Sequence, residues 1–218
     1  MVLVDSVGFN LDEIRNPTSP KRPHFIWRFL GNIFLISFFS SVVFVTINFP
    51  AYLIIYKFKS NPKSFAVAAP VSENQVKQLA DNNLFVSKIG VNAPINWDTS
   101  SQNVMETLNS KIAHLSGSGK PGEGKNVFIT GHSSSYWWNN GSQNTVFALL
   151  PELNQGDEIV VTYNGKIYRY AVSQKKEVSK KDVGDYLLGD KDELTLMTCV
   201  PVGTNLKRLL VIATPKQN

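Results

Sequence analysis

The sequence predicts a mainly β protein: an antiparallel barrel or sandwich carrying a few short helices, preceded by a membrane-spanning helix. Three observations carry this expectation. The stretch from Phe29 to Tyr56 contains no charged side chain. The region after it breaks into short runs rich in β-branched and aromatic residues, the composition that fits a pleated, half-buried surface. Those runs lack the regular strand–helix alternation that builds parallel sheets, which leaves an antiparallel architecture.

Residues 1–28, with Pro17, Pro20 and Pro23, read as a disordered tail. Residues 29–56 read as the anchor, since about 20 apolar residues suffice for a helix to cross the hydrocarbon layer. Pro50 is expected to end or kink this helix and to place Ala51–Tyr56 at the far interface. Ala66-Val-Ala68 resembles a signal-peptide cleavage site. However, the apolar region is well beyond the roughly 7–15 residues such peptides use and begins late in the chain, which favours a retained anchor. Arg15, Lys21, Arg22 and Arg28 precede it and Lys57, Lys59 and Lys63 follow it. The positive-inside rule therefore leans, narrowly, towards a cytoplasmic N-terminus and an extracellular remainder.

Residues 57–83 read as a linker rich in Lys, Ser, Ala and Pro, closing with a short helix over 72–81 that Ser72-Glu-Asn-Gln75 would cap. Residues 84–218 form the β region. Strands are expected at Leu84–Ile89, Lys125–Thr130, Glu158–Tyr163, Lys166–Ser173, Leu194–Thr198 and Arg208–Ala213, and Asn164-Gly165 is a strong hairpin signal between two of them. Short helices are expected near Gln102–Leu108 and Thr145–Leu153, the second stopped at Gln155-Gly156. Closing the sheet would remove its exposed edges.

The net charge of +5 in 218 residues is dispersed, and Lys175-Lys176 and Lys180-Lys181 read as a solvated loop. No segment pairs a basic run with stacked aromatics, which argues against nucleic-acid binding. The single cysteine excludes an intramolecular disulfide, and no Cys/His spacing suits zinc; no cofactor or metal is expected.

That cysteine, Cys199, closes Thr195-Leu-Met-Thr-Cys199, and Arg208 follows at the start of the last apolar run. A free cysteine is most often a small buried filler. Here Thr195, Thr198 and Pro201 surround it with polar and turn-forming groups, and the arginine offers the electropositive setting that activates thiols. His132 ends an apolar run, Val127-Phe-Ile-Thr130, after a glycine, which places its imidazole at a strand exit with a pKa suited to proton transfer. Arg208 stays charged and is suited to holding a carbonyl and the negative charge that develops on it. His24 and His114 carry no comparable signal, and Gly131-His-Ser133 is not a serine nucleophile elbow.

Thr195-Leu-Met-Thr-Cys199 with Arg208, and Phe128-Ile-Thr-Gly-His132, resemble the signature segments of the sortase family; Pro121-Gly-Glu-Gly124 and Phe147–Asp157 add to the likeness. The resemblance implies an eight-stranded β-barrel with Cys199 as nucleophile, His132 as general acid/base and Arg208 as oxyanion or substrate-binding residue. Thr198 would shape the acceptor-side groove, and Thr130 and Ser133, beside the histidine segment, join it as candidate substrate-binding residues. Sortases cleave a C-terminal sorting signal of Leu-Pro-x-Thr-Gly type between Thr and Gly. They pass the thioacyl intermediate to an amine of a peptidoglycan precursor or a pilin lysine. The implied partners are surface proteins bearing such a signal, an amine acceptor and the membrane lipid.

The chain departs from the family pattern in Ser133-Ser-Ser-Tyr-Trp-Trp138 after the histidine and in having neither an Asp-Pro-aromatic lid motif nor a second, C-terminal anchor. The last two departures tilt the reading towards wall anchoring rather than pilin polymerisation. Two other readings stand beside transpeptidation. One is a thiol peptidase that only hydrolyses; the other is a non-catalytic, membrane-tethered binding barrel with Cys199 as filler.

Overall fold

The computed structural model describes residues 24–65, 80–135 and 141–216. The chain divides into two compact units, Met1–Val42 and Val43–Asn218. The expected tail therefore lies outside the described residues as far as residue 23. So do residues 72–79 of the expected short helix; its last two positions, Ala80 and Asp81, are not helical.

Helix α1 (His24–Ser60) is long and apolar enough to cross a membrane. It begins before Phe29 and, contrary to the expected stop, continues through Pro50 to Ser60. The residues beyond the proline have a reason to stay helical. Ala51 and Phe58 are buried, and Ile54 and Ile55 pack against the barrel core. Burial of that face offsets the hydrogen bond that Pro50 cannot donate. In the first unit, by contrast, Phe25, Phe34 and Ile36 are exposed.

The remainder is a closed eight-stranded barrel: β1 (Asn83–Val86), β2 (Val91–Thr99), β3 (Ile112–Leu115), β4 (Val127–Thr130), β5 (Glu158–Tyr163), β6 (Lys166–Val178), β7 (Leu194–Val200) and β8 (Lys207–Pro215). Around the barrel the order is β1-β2-β3-β4-β7-β8-β6-β5, and β5 pairs back onto β1. Neighbours are antiparallel except β2 with β3 and β4 with β7. Closure satisfies every strand edge, as the mainly β expectation requires.

Two strands, β2 and β3, are absent from the sequence expectation. Pro94 sits inside β2, where proline normally argues against a strand, yet the buried–exposed alternation of Val91–Ile95 is that of a strand. β3 is only four residues long. The two expected helices shrink. α2 is a single turn, Val104–Thr107, and Thr145–Leu153 holds turns ending in a 3-10 turn at Leu150–Glu152, where Pro151 interrupts α-helical pairing. A further helical turn, α3 (Gly184–Leu187), lies between β6 and β7. β6 runs on past Ser173, so Lys175 and Lys176 lie in a strand paired with β8 rather than in a loop. The β5–β6 hairpin turns at Asn164 and Gly165, both with positive φ (50° and 71°), as the Asn-Gly pair predicts.

Side chains alternate across each strand. Inward residues such as Leu84, Ile129, Leu196 and Val211 fill the barrel. Outward residues Phe128, Met197, Leu210 and Ile212 form a second apolar cluster, covered by Val183, Tyr186 and Leu187 of the β6–β7 connection. β4, β7 and β8 are thus buried on both faces, which is why they read as nearly continuous apolar runs.

Candidate active site

β7 explains its own composition. Leu194 and Leu196 point into the barrel, and Met197 joins the outer cluster. The two buried threonines need partners and have them: Thr195 Oγ1 donates to Asn126 Oδ1 at 3.0 Å and Thr198 Oγ1 donates to the Gly131 carbonyl at 2.9 Å. Cys199 breaks the pattern because its thiol is only half-buried. Its side chain shares the outer face with Met197. In the β7–β8 ladder Cys199 is directly opposite Arg208. Residues paired in this way project from the same face with Cβ atoms about 5 Å apart. Residues nine apart in sequence thus become cross-strand neighbours on one face of the sheet.

Because β4 and β7 run parallel, His132, just past β4, and Cys199 emerge from the same end of the barrel. Three hydrogen bonds fix the two strand ends together. The Gly131 N–H donates to the Met197 carbonyl at 3.1 Å, Thr130 Oγ1 donates to that carbonyl at 3.3 Å, and Thr198 donates to Gly131 as above. The clamp joins the neighbour of His132 to the neighbour of Cys199. On its far side the His132 carbonyl accepts the Phe147 N–H at 2.9 Å. Gly131 has to be glycine here, since a Cβ would lie 2.6 Å from the Phe147 ring.

The structure therefore brings Cys199, Arg208 and His132 to one end of the barrel, with Cys199 and Arg208 on the same face of the sheet. Burial pushes the His132 imidazole below its ordinary pKa, so the ring favours the neutral form. Arg208 donates from Nη1 to the Lys207 carbonyl at 3.2 Å, and among the described residues no carboxylate pairs with it. Thr130, Ser133 and Thr198 are all buried. Both threonine hydroxyls are engaged by main-chain carbonyls. One neighbour escaped the sequence reading: Cys199 Sγ donates to Asn205 Oδ1 at 3.7 Å. An asparagine in a loop reads as a turn former, so nothing in the sequence marks it out. Among the described residues no group of three or more His, Cys, Asp or Glu could hold a metal ion. Of the unusual Ser133–Trp138 stretch, residues 136–138 lie outside the described residues. His114, by contrast, is a satisfied core histidine: fully buried on β3, it meets Gly119, Ser118 and the Asp98 N–H.

The family model of the Sortase domain matches residues 84–216, the span of the barrel. The chain belongs to the sortase family. It is 35% identical over 89 residues to Sortase A of Bacillus anthracis, covering 39% of this chain and 38% of that protein. With Sortase D of Bacillus subtilis (strain 168) it shares 28% identity over 132 residues, covering 59% of this chain and 60% of that one. The chain thus spans less than two thirds of either curated relative. Among solved structures, sortase C1 from Streptococcus agalactiae superimposes with a TM-score of 0.53 at 27% identity, covering 77% of this chain and 90% of its own. Sortase C-1 from Actinomyces oris gives 0.51 at 28% identity, covering 62% and 73%. The sortase barrel inferred from the cysteine and histidine segments is the fold observed.

Proposed function

We propose that this protein is a membrane-anchored cysteine transpeptidase that cleaves the sorting signal of surface proteins and transfers them to an amine. The observation that carries this reading is the ladder pairing of Cys199 with Arg208 at the barrel end from which His132, half-buried and favouring its neutral form, also emerges. Membership of the sortase family supports the reaction class.

In the proposed cycle His132 takes the thiol proton of Cys199, and the sulfur attacks the carbonyl carbon of the scissile Thr–Gly bond in a Leu-Pro-x-Thr-Gly-like signal. Arg208 holds the oxyanion that forms, a role its permanent charge and fork of donors suit. Collapse breaks the C–N bond while the imidazolium protonates the departing amine, leaving a thioester on Cys199. An incoming amine, from a peptidoglycan precursor or a pilin lysine, attacks the thioester and releases the thiol. Thr130, Ser133 and Thr198 form the wall against which the peptide lies, and helix α1 is the membrane anchor, with a cytoplasmic N-terminus and an extracellular barrel.

The test is acyl transfer by the full chain in detergent micelles, with a library of sorting-signal peptides and triglycine as acceptor. Ligated product from the wild-type chain and none from Cys199→Ala is the expected result. Cleavage without ligation at saturating amine would leave a hydrolase. Absence of both, with Cys199 inert to iodoacetamide, would leave a binding barrel.

A further inference from the structure

The second half of α1 is not an idle tether. Asn48, Ala51 and Phe58 are buried at positions spaced three and seven residues apart, one face of a helix, and Ile55 on the same face packs against the barrel core. At one end of this face Phe58 stacks edge-on against Phe65 at 5.6 Å, and the Phe65 carbonyl lies close to Gly90 in the β1–β2 turn. At the other end the face meets the β7–β8 loop. Tyr52 Oη donates to the Val202 carbonyl at 3.4 Å, and a Cβ on Gly203 would lie 2.7 Å from Asn48 Cγ and Oδ1.

That loop is the one the chemistry depends on. Residues 201–206 join Cys199 to Arg208. Gly203 N–H donates to Ser134 Oγ at 3.1 Å, two residues beyond His132, and Asn205 accepts from the Cys199 thiol. One loop therefore touches the sulfur, the histidine segment and the helix. The helix reaches it through the Val202 carbonyl and the Gly203 backbone; these helix contacts involve neither Cys199, His132 nor Arg208, and the thiol stays partly exposed. A cover that inhibits would meet the nucleophile itself.

We propose that Asn48 and Tyr52 are positioning residues: the membrane-distal turns of α1 brace the β7–β8 loop and thereby hold the site in its reactive arrangement. Length permits this division. At 1.5 Å per residue a helix of 37 residues is about 55 Å long, against a hydrocarbon layer of about 30 Å. A span of about 20 residues starting near Phe25 leaves the turns from Asn48 onward outside the lipid. Asn48 fits that assignment: it is buried against protein, and its Nδ2 donates to the Phe44 carbonyl at 2.9 Å.

The inference rests on Cys199 being the nucleophile, and its test separates the two. Full-length chains in detergent micelles are compared for kcat, KM and the rate of Cys199 alkylation by iodoacetamide, a readout that needs no peptide. Tyr52→Phe, which loses one hydrogen bond, should lower kcat and alkylation about 3-fold with KM unchanged. Gly203→Ala should lower both more than 10-fold, because the added methyl collides with Asn48 and strains a φ of +85°. The second change, Asn48→Ala on top of Gly203→Ala, should restore part of the loss by opening the space, a rescue that no general destabilisation produces. Variants indistinguishable from a reactive wild-type chain would overturn the proposal, as would faster alkylation in any of them, which would make the helix a cover. A wild-type Cys199 that resists alkylation would remove the catalytic reading and this one with it.

Discussion

The candidate site is built from two kinds of backbone, and they differ in how firmly they are held. Cys199 and Arg208 lie in adjacent strands whose residues pair one to one from Leu194–Ala213 to Val200–Lys207. His132 is one residue beyond the β4–β7 clamp. The β7–β8 loop, in contrast, has exposed Pro201, Asn205 and Leu206 and is held by a few bonds: its own Thr204–Pro201 turn, Ser134 and the helix α1. In the proposed mechanism the cysteine and arginine that must keep a fixed distance during bond making are on the ladder, and the asparagine that only meets the thiol is on the loop. Preorganised charge is effective because it needs no rearrangement as the reaction proceeds.

The most demanding check on this division is a pair of substitutions, one on each kind of backbone. Arg208→Lys keeps the charge but loses the planar fork of donors, and should cost about 10²-fold in kcat. Asn205→Ala removes the thiol's neutral partner and should cost less than about 10-fold, the range of one hydrogen bond. Steady-state kinetics on both chains decide it. A larger loss at Asn205 than at Arg208 would reverse the assignment of roles.

How much of this could be read beforehand follows the same division. The candidate residues at the strand ends stood out because each breaks a pattern: the cysteine closes one strand run, the arginine opens another, and a histidine after glycine ends a third. The closed barrel was legible only in part. β2 hides behind Pro94 and β3 behind its brevity, so the count of eight came from the family resemblance rather than from periodicity. The loop-borne contacts and the docked half of α1 were illegible for a physical reason. An apolar helix facing lipid and one facing a barrel have the same composition, and only tertiary structure tells Phe34, exposed, from Phe58, buried.

Within the firm half, the clamp can be loosened without touching a reacting group. Thr198→Val keeps the shape but leaves the Gly131 carbonyl without this donor in a buried setting. A loss of about 1–3 kcal/mol is expected, lowering the thermal midpoint by several degrees. If the clamp also sets the distance between Cys199 and His132, kcat falls at a temperature where the variant is fully folded. A lowered midpoint with intact kcat would confine Thr198 to the scaffold.

The smallest expected effect is a pH dependence of stability. Burial lowers the pKa of both His132 and His114 below the unfolded value of about 6.5. Between each lowered value and 6.5 the unfolded chain binds more protons than the folded one, so stability rises with pH in that window. The contribution is complete above about 6.5 and is lost as pH falls through the lowered values. Thermal midpoints measured from pH 7.5 downwards should therefore decline below 6.5, and His132→Gln should make the decline shallower while leaving the part due to His114. An unchanged slope would mean that water reaches the His132 ring in solution. The strand end would then be as open as the loop, and the contrast between them would lose its physical basis.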